Sequence, residues 1–130
     1  MIKRRNIVKT HRDTYTISDI QASSIADKVI GICPVKSELI AVKEVHGTAA
    51  GQTCTLAIER LQGTETSGNG DQVATSINSE GTADTVQTAT LTTTAANLIF
   101  AAGDRVGINM TGTTTTLATQ VVVCQFRPVD

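Results

Sequence analysis

NLIFAAGDRVGINMTGTTTTLATQVVVCQFR, residues 97–127, is the stretch that decides the fold class. Leu98, Ile99 and Phe100 lead into Ala101-Ala102-Gly103-Asp104, whose Gly and Asp are turn formers. Val106, Ile108 and Met110 then alternate with Gly107 and Asn109, the period-two pattern of a half-buried strand. After Thr111-Gly112 and four threonines the chain returns through Val121, Val122, Val123, Cys124 and Phe126, a β-branched run with almost no helical character. The pattern predicts a closing hairpin buried on at least one face.

Outward from this stretch, the same signals recur at short intervals. Tyr15-Thr16-Ile17 reads as a short strand, whereas 18–27 reads as a helical turn or loop. Val29-Ile30-Gly31-Ile32-Cys33 is an apolar strand ended by Pro34, which cannot donate to a central ladder. Residues 38–46 and 52–61 are expected to pair as a hairpin across Gly47-Thr48-Ala49-Ala50-Gly51, setting Ile40 opposite Ile58, Val42 opposite Leu56 and Glu38 opposite Arg60. Residues 62–72 form a loop around Gly68-Asn69-Gly70-Asp71. Weaker strands follow at 72–77 and 84–92. About eight short strands with regularly spaced turns and no helix predict an all-β fold, an antiparallel β-sandwich of jelly-roll type.

Composition limits how that sandwich is stabilised. With aromatics at only 2% of 130 residues, the core must be built from Val, Ile, Leu and Ala. Large aromatic anchors, each burying about 150–250 Å², are nearly absent, so self-association is expected to supply part of the stability. Val121, Val122 and Val123 are apolar on both faces of one strand, more than a sandwich with a wet outer face requires, and are the expected contact between copies.

The net charge of −1 conceals an asymmetry. Lys3, Arg4, Arg5, Lys9 and Arg12 all precede the first acid, Asp13, and the remaining residues hold six bases against twelve acids, a net of −6. The division expected is a basic N-terminal arm (1–14) and a single acidic sandwich domain (15–130). The arm reads either as a solvated tail or as a segment that seeks an acidic protein surface. No aromatic is interleaved with its bases to stack on a nucleobase, so nucleic acid is not the expected partner. An apolar span of about 20 residues is also missing, so no membrane partner is expected.

Residues that could carry chemistry are scattered. His11 and His46 have no partner at metal or catalytic spacing and read as surface or turn residues. The carboxylates are single, and Asp71, Glu80, Asp84 and Asp104 fall at turns. The 68–71 turn supplies too few oxygens for calcium, and Gly47 to Gly51 lacks the Gly-Lys of a phosphate-binding loop. Cys33, Cys54 and Cys124 lie in apolar runs and read as buried, reduced thiols made in a reducing cytoplasm. Neither an enzyme nor a cofactor is expected.

The segments AVKEVHGTAAGQTCTLAIERLQGT (41–64) and DTVQTATLTTTAANLIFAAGDRVGINMTGTTTTLA (84–118) resemble the capsid decoration, or cement, proteins of tailed bacteriophages, which have a jelly-roll body. VKEVHGTA, TVQTATLT and LIFAAGDRVGI carry most of the likeness. The resemblance implies a homotrimer on the outer capsid surface that bridges neighbouring subunits of the major capsid protein, with no catalytic role. The alternative is a receptor- or glycan-binding module of a head fibre or tail, although the loops lack the aromatic platforms such sites present.

Overall fold

The computed structural model describes residues 13–130. Threonine and β-branched residues dominate the chain, and the described residues are accordingly strands joined by turns, with one short 3-10 turn, Ala95–Leu98. Ten strands form: β1 (Tyr15–Gln21), β2 (Lys28–Ile32), β3 (Ser37–Thr48), β4 (Cys54–Leu61), β5 (Asp71–Asn78), β6 (Gln87–Thr88), β7 (Thr90–Leu91), β8 (Ile99–Phe100), β9 (Arg105–Gly112) and β10 (Ala118–Pro128).

They build two antiparallel sheets. Sheet A runs β1-β10-β3-β6, with β8 also pairing β3, and sheet B runs β2-β9-β4-β5-β7. Of the connections between successive strands, only β4 to β5 stays within one sheet; every other step crosses to the opposite layer. Two five-strand layers wound together in this way have a jelly-roll-like arrangement, as the spacing of strands and turns predicts.

Two pairings differ from expectation. Residues 38–46 and 52–61 are strands, but β3 pairs with β10, β6 and β8, while β4 pairs with β5 and β9. The Gly47 to Gly51 connection is therefore a crossover and not a hairpin loop. Glu38 meets Arg127 across sheet A, with Nη2 donating to Oε1 at 2.6 Å, and not Arg60. Likewise β9 and β10 lie in different sheets, so residues 105–128 are two facing strands and not a hairpin. A short Gly- or Thr-rich connection serves either geometry, and the choice is made by burial: inward-facing Leu56, Ile58, Val106 and Ile108 of sheet B oppose Val42, Val122 and Cys124 of sheet A in one core. The third difference is at 18–27, where β1 continues to Gln21 along its full seven-residue ladder with β10.

The turn at Ala101 to Asp104 forms as its residues require. Gly103 adopts φ +91°, open to glycine without strain. The Ala101 N–H donates to Asp104 Oδ2 at 2.8 Å, and the Asp104 N–H donates to the Ala101 carbonyl at 3.0 Å. The same turn holds the end of β2, since Gly103 donates to the Cys33 carbonyl and Cys33 to the Asp104 carbonyl, both at 2.8 Å.

All three aromatics of the chain meet in one place. Tyr15 stacks on Phe126 at a centroid distance of 5.5 Å, and Phe100 meets Phe126 edge-on at 5.1 Å. Phe100 and Phe126 are fully buried. Phe126→Ala is expected to destabilise the fold by about 3–5 kcal/mol, the usual cost of emptying an aromatic site, measured by chemical denaturation. Val123→Ala, on the outer face of the same strand, should cost less than about 1 kcal/mol in the monomer. Equal losses for the two would contradict this placement of the core.

Candidate interaction surface

The outer faces of the two sheets are treated differently. Sheet B is covered over β4 and β9 by its own chain, the 62–70 loop, while β2 at its edge leaves Val29 and Ile32 exposed. Gly68 donates its N–H to buried Glu59 at 2.7 Å, Asn109 Nδ2 donates to the same carboxylate at 3.4 Å, and Arg105 Nη2 donates to the Gly63 carbonyl at 2.9 Å. A side chain at Gly107 would collide with Leu61 of β4 and press on Ser67 of the loop, 3.1 Å away, so the sheet is flush against its cover at that point. These contacts explain why Ala57, Glu59 and Leu61, on the face of β4 away from the core, are all buried.

On the outer face of sheet A, an apolar row stays accessible. Ile20 of β1 lies opposite Val121 of β10, and Val121 lies opposite Val45 of β3. Val86, next to β6, continues the row: Lys43, Glu44, Val45, Val86, Val121 and Val123 line one shallow groove. Ile20 and Val86 are 65% and 62% exposed. Placing several branched aliphatic side chains together in water is unfavourable by about 25 cal/mol per Å² left uncovered, so this face is suited to contact with another protein surface.

This geometry divides the three valines singled out from the sequence. Val121 and Val123 stand on the outer face, but Val122 is 1% exposed and belongs to the core. Period two within β10 is the reason, since Gln120, Val122, Cys124 and Phe126 all point inward. Val45, Val86 and Ile20 join the surface set; Val45 follows Lys43 by two on β3 and so shares its outer face. The basic residues Lys3, Arg4, Arg5, Lys9 and Arg12 lie outside the described residues, as does His11.

His46 is not a surface residue. It is fully buried on the inner face of β3, beside Glu44, which is 1% exposed. His46 Nδ1 lies 2.8 Å from Glu44 Oε2, and its Nε2 lies 2.9 Å from the Gly81 carbonyl oxygen. Gln120 Nε2 donates to Glu44 Oε2 at 3.1 Å, and Gln87 Nε2 to Glu44 Oε1 at 3.3 Å. Counting by twos from Val42 already assigns Glu44 and His46 to its inward face; sheet pairing was the missing information. The polar set lies along β3 and β10 between the main core and a smaller apolar cluster of Ile25, Ala50, Cys54 and Leu117. Burial pulls the His46 pKa down, but the Gly81 carbonyl and the Glu44 carboxylate outweigh it and hold the imidazole above its ordinary value. No group of three or more metal-ligating side chains occurs among the described residues. The three cysteines are buried and unpaired, and burial raises each thiol, that of Cys124 to about 12.

Two outcomes follow. A histidine with a raised folded-state pKa gives its full stabilisation below the unfolded value of about 6.5 and loses it as pH rises through the folded value. The melting temperature should thus fall as pH is raised above about 6.5, and His46→Gln should flatten that slope; a wild-type melting temperature that rises over the same range would contradict the assignment. The native protein should also resist a thiol-labelling disulfide reagent at neutral pH, with all three cysteines reacting once it is unfolded. Fast labelling of the native state would contradict their burial.

No family model matches the chain, and no curated protein matches it. Solved structures do. A chain from the capsid of Ralstonia phage GP4 superposes with a TM-score of 0.63 at 16% identity, over 90% of this chain and 84% of that one. A chain from the capsid asymmetric unit of cyanophage Pam1 gives a TM-score of 0.51 at 11% identity, over the same shares of the two chains. At such identities the likeness establishes the fold: this chain has the architecture of β-sandwich chains found in two phage capsids.

Proposed function

We propose that this protein is a virion structural protein that binds the outer surface of a phage capsid as a homotrimer and cements adjacent major capsid protein subunits. The observation that carries the reading is the likeness, over nearly the whole described jelly roll, to chains that are themselves parts of phage capsids. The surface supports it. A cement acts through faces and not through a pocket, and the accessible apolar row on sheet A is such a face. In the trimer, Val121 and Val123 meet a neighbouring copy together with Val45, Val86 and Ile20, while Val122 supports them from the core.

The basic residues Lys3, Arg4, Arg5, Lys9 and Arg12 extend the contact. The chain from Asp13 onward is acidic by six charges, so these bases face an acidic groove of the major capsid protein as the second element of the clamp. Three copies joined through sheet A carry three such segments, and simultaneous engagement raises apparent affinity by about 10²–10⁴ without any new type of contact.

Val121→Asp tests the self-contact. Light scattering should show a change from trimer to monomer with an unchanged far-ultraviolet circular dichroism spectrum, and occupancy of expanded capsids should fall by about 10²-fold or more. A folded Val121→Asp trimer would place the contact elsewhere. Deletion of residues 1–12 should leave the trimer intact and lower capsid occupancy. The wild-type occupancy should fall with added salt and the deletion variant should lose that dependence; unchanged occupancy at raised salt after the deletion would remove the arm from the mechanism.

A further inference from the structure

We propose that Glu44 and His46 form a proton-dependent latch on the 79–86 loop, and that the latch sets the position of Val86 in the self-contact face. The last step rests on the function proposed above; the latch itself rests on the geometry of the buried polar set.

Donor counting requires the proton. The Gly81 carbonyl can only accept, so His46 Nε2, 2.9 Å away, must carry a hydrogen. Glu44 Oε2 already accepts from Gln120 Nε2 at 3.1 Å and lies 2.8 Å from His46 Nδ1. With Glu44 ionised, Nδ1 must also carry a hydrogen; with His46 neutral, the carboxyl must supply it. In either form the pair shares one proton beyond a carboxylate and a neutral imidazole. Once that proton leaves, one of two contacts becomes lone pair against lone pair. The imidazole either faces the Glu44 carboxylate without a hydrogen, or keeps Nδ1–H toward it and turns a bare Nε2 to the Gly81 carbonyl. The second arrangement keeps the charged partner satisfied, which is the stronger bond, and breaks the link to the loop.

That link is central to how the loop is held. The Asp84 N–H donates to the His46 carbonyl at 2.8 Å, and Asp84 itself adopts φ +58°, a conformation that needs support in a non-glycine residue. Gln87 bridges the far end, its Nε2 donating to Glu44 and to the Asn78 carbonyl at 2.8 Å. Thus both ends of the segment that presents Val86 are tied to the same buried pair. The groups facing His46 are Glu44 on β3 and Asp84 in the loop; Cys54 on β4 lies near Glu44 with its thiol kept neutral by burial, and β10 adds only uncharged Gln120. Both acids favour the protonated ring, in keeping with its raised pKa.

Glu44→Gln separates the latch from a merely structural buried pair. A glutamine amide can donate to Nδ1 of a neutral imidazole, leaving Nε2–H for Gly81. Gln120, whose Oε1 has no hydrogen-bond partner, can turn its amide to accept the second hydrogen. No extra proton is then needed. Hydrogen exchange of the full chain, corrected for the intrinsic effect of pH, is the test. Between about pH 6 and pH 8.5, on either side of the ordinary histidine range, the wild-type 79–86 segment should lose protection severalfold, while Glu44→Gln stays protected at both. Wild-type protection that does not change, or an equal loss in Glu44→Gln, would overturn the latch. Nitrogen-15 imidazole spectra of wild-type protein give a readout that no variant can spoil: Nε2–H of His46 present at the lower pH and lost at the higher, where Nδ1–H alone remains. A ring that keeps Nε2–H throughout would equally overturn it. Trimer dissociation on the same pH change supports the step to Val86. A chain that is monomeric at both pH values while the loop responds as stated overturns the self-contact reading and leaves the latch standing.

Discussion

Phe126, held between the flat face of Tyr15 and the edge of Phe100, is the contact on which the rest of the structure depends. A chain with so few aromatics has one place where large rings fill the space between sheets, and it spends all three there. The consequence is topological. Tyr15 and Phe126 are directly paired across β1 and β10, and Phe100 arrives from β8 on the other side of β3, so β10 must run through the middle of sheet A. With β10 there, β9 cannot also pair with it, and the 113–117 connection has to cross between layers. The remaining core is aliphatic and small, which suits a sandwich whose inward positions are dominated by Val, Ile, Leu, Ala and Cys.

Strand positions were readable in the sequence because they depend on local chemistry: β-branched runs, period two, and turn residues such as Gly103 and Asp104. Strand partners were not, because partner choice depends on which faces are buried on both sides. β4 shows the difficulty. Its Cys54, Leu56 and Ile58 point to the core as alternation predicts, but Glu59 and Leu61 are buried as well, under a loop whose Gly, Ser and Asn residues look simply exposed. β3 adds a second complication. A register shift opposite Gln125 and Phe126 lets both Leu39 and Val42 face inward, so strict alternation misassigns Leu39. The outer surface was half legible: three consecutive valines announce a strand with two apolar faces, and only the pairing identifies Val122 as core and Val121 and Val123 as surface.

The buried polar set is the feature that composition concealed most completely. Glu44, His46 and Gln120 each look like ordinary surface residues alone, and their enclosure is tolerable because all but Gln120 Oε1 of their side-chain polar atoms find partners among one another, Gln87, Ser79 and the Gly81 carbonyl. Such a group contributes less to stability than apolar residues of equal volume would. Its place between two apolar clusters, on the inner face of the strand whose outer face carries Val45, joins the interior to the exposed row. In the function proposed here, the fold supplies a rigid two-layer body, the centre of sheet B is covered by its own loop, and sheet A offers the face through which copies meet.

A reconstruction, at side-chain resolution, of phage particles that carry this protein tests the central claim most directly. The account predicts jelly rolls in groups of three on the outer surface of the shell, with Val45, Val121 and Val123 covered by a neighbouring copy and each group touching more than one major capsid protein subunit. Isolated copies with that valine face open to solvent, or copies confined to the tail, would contradict it.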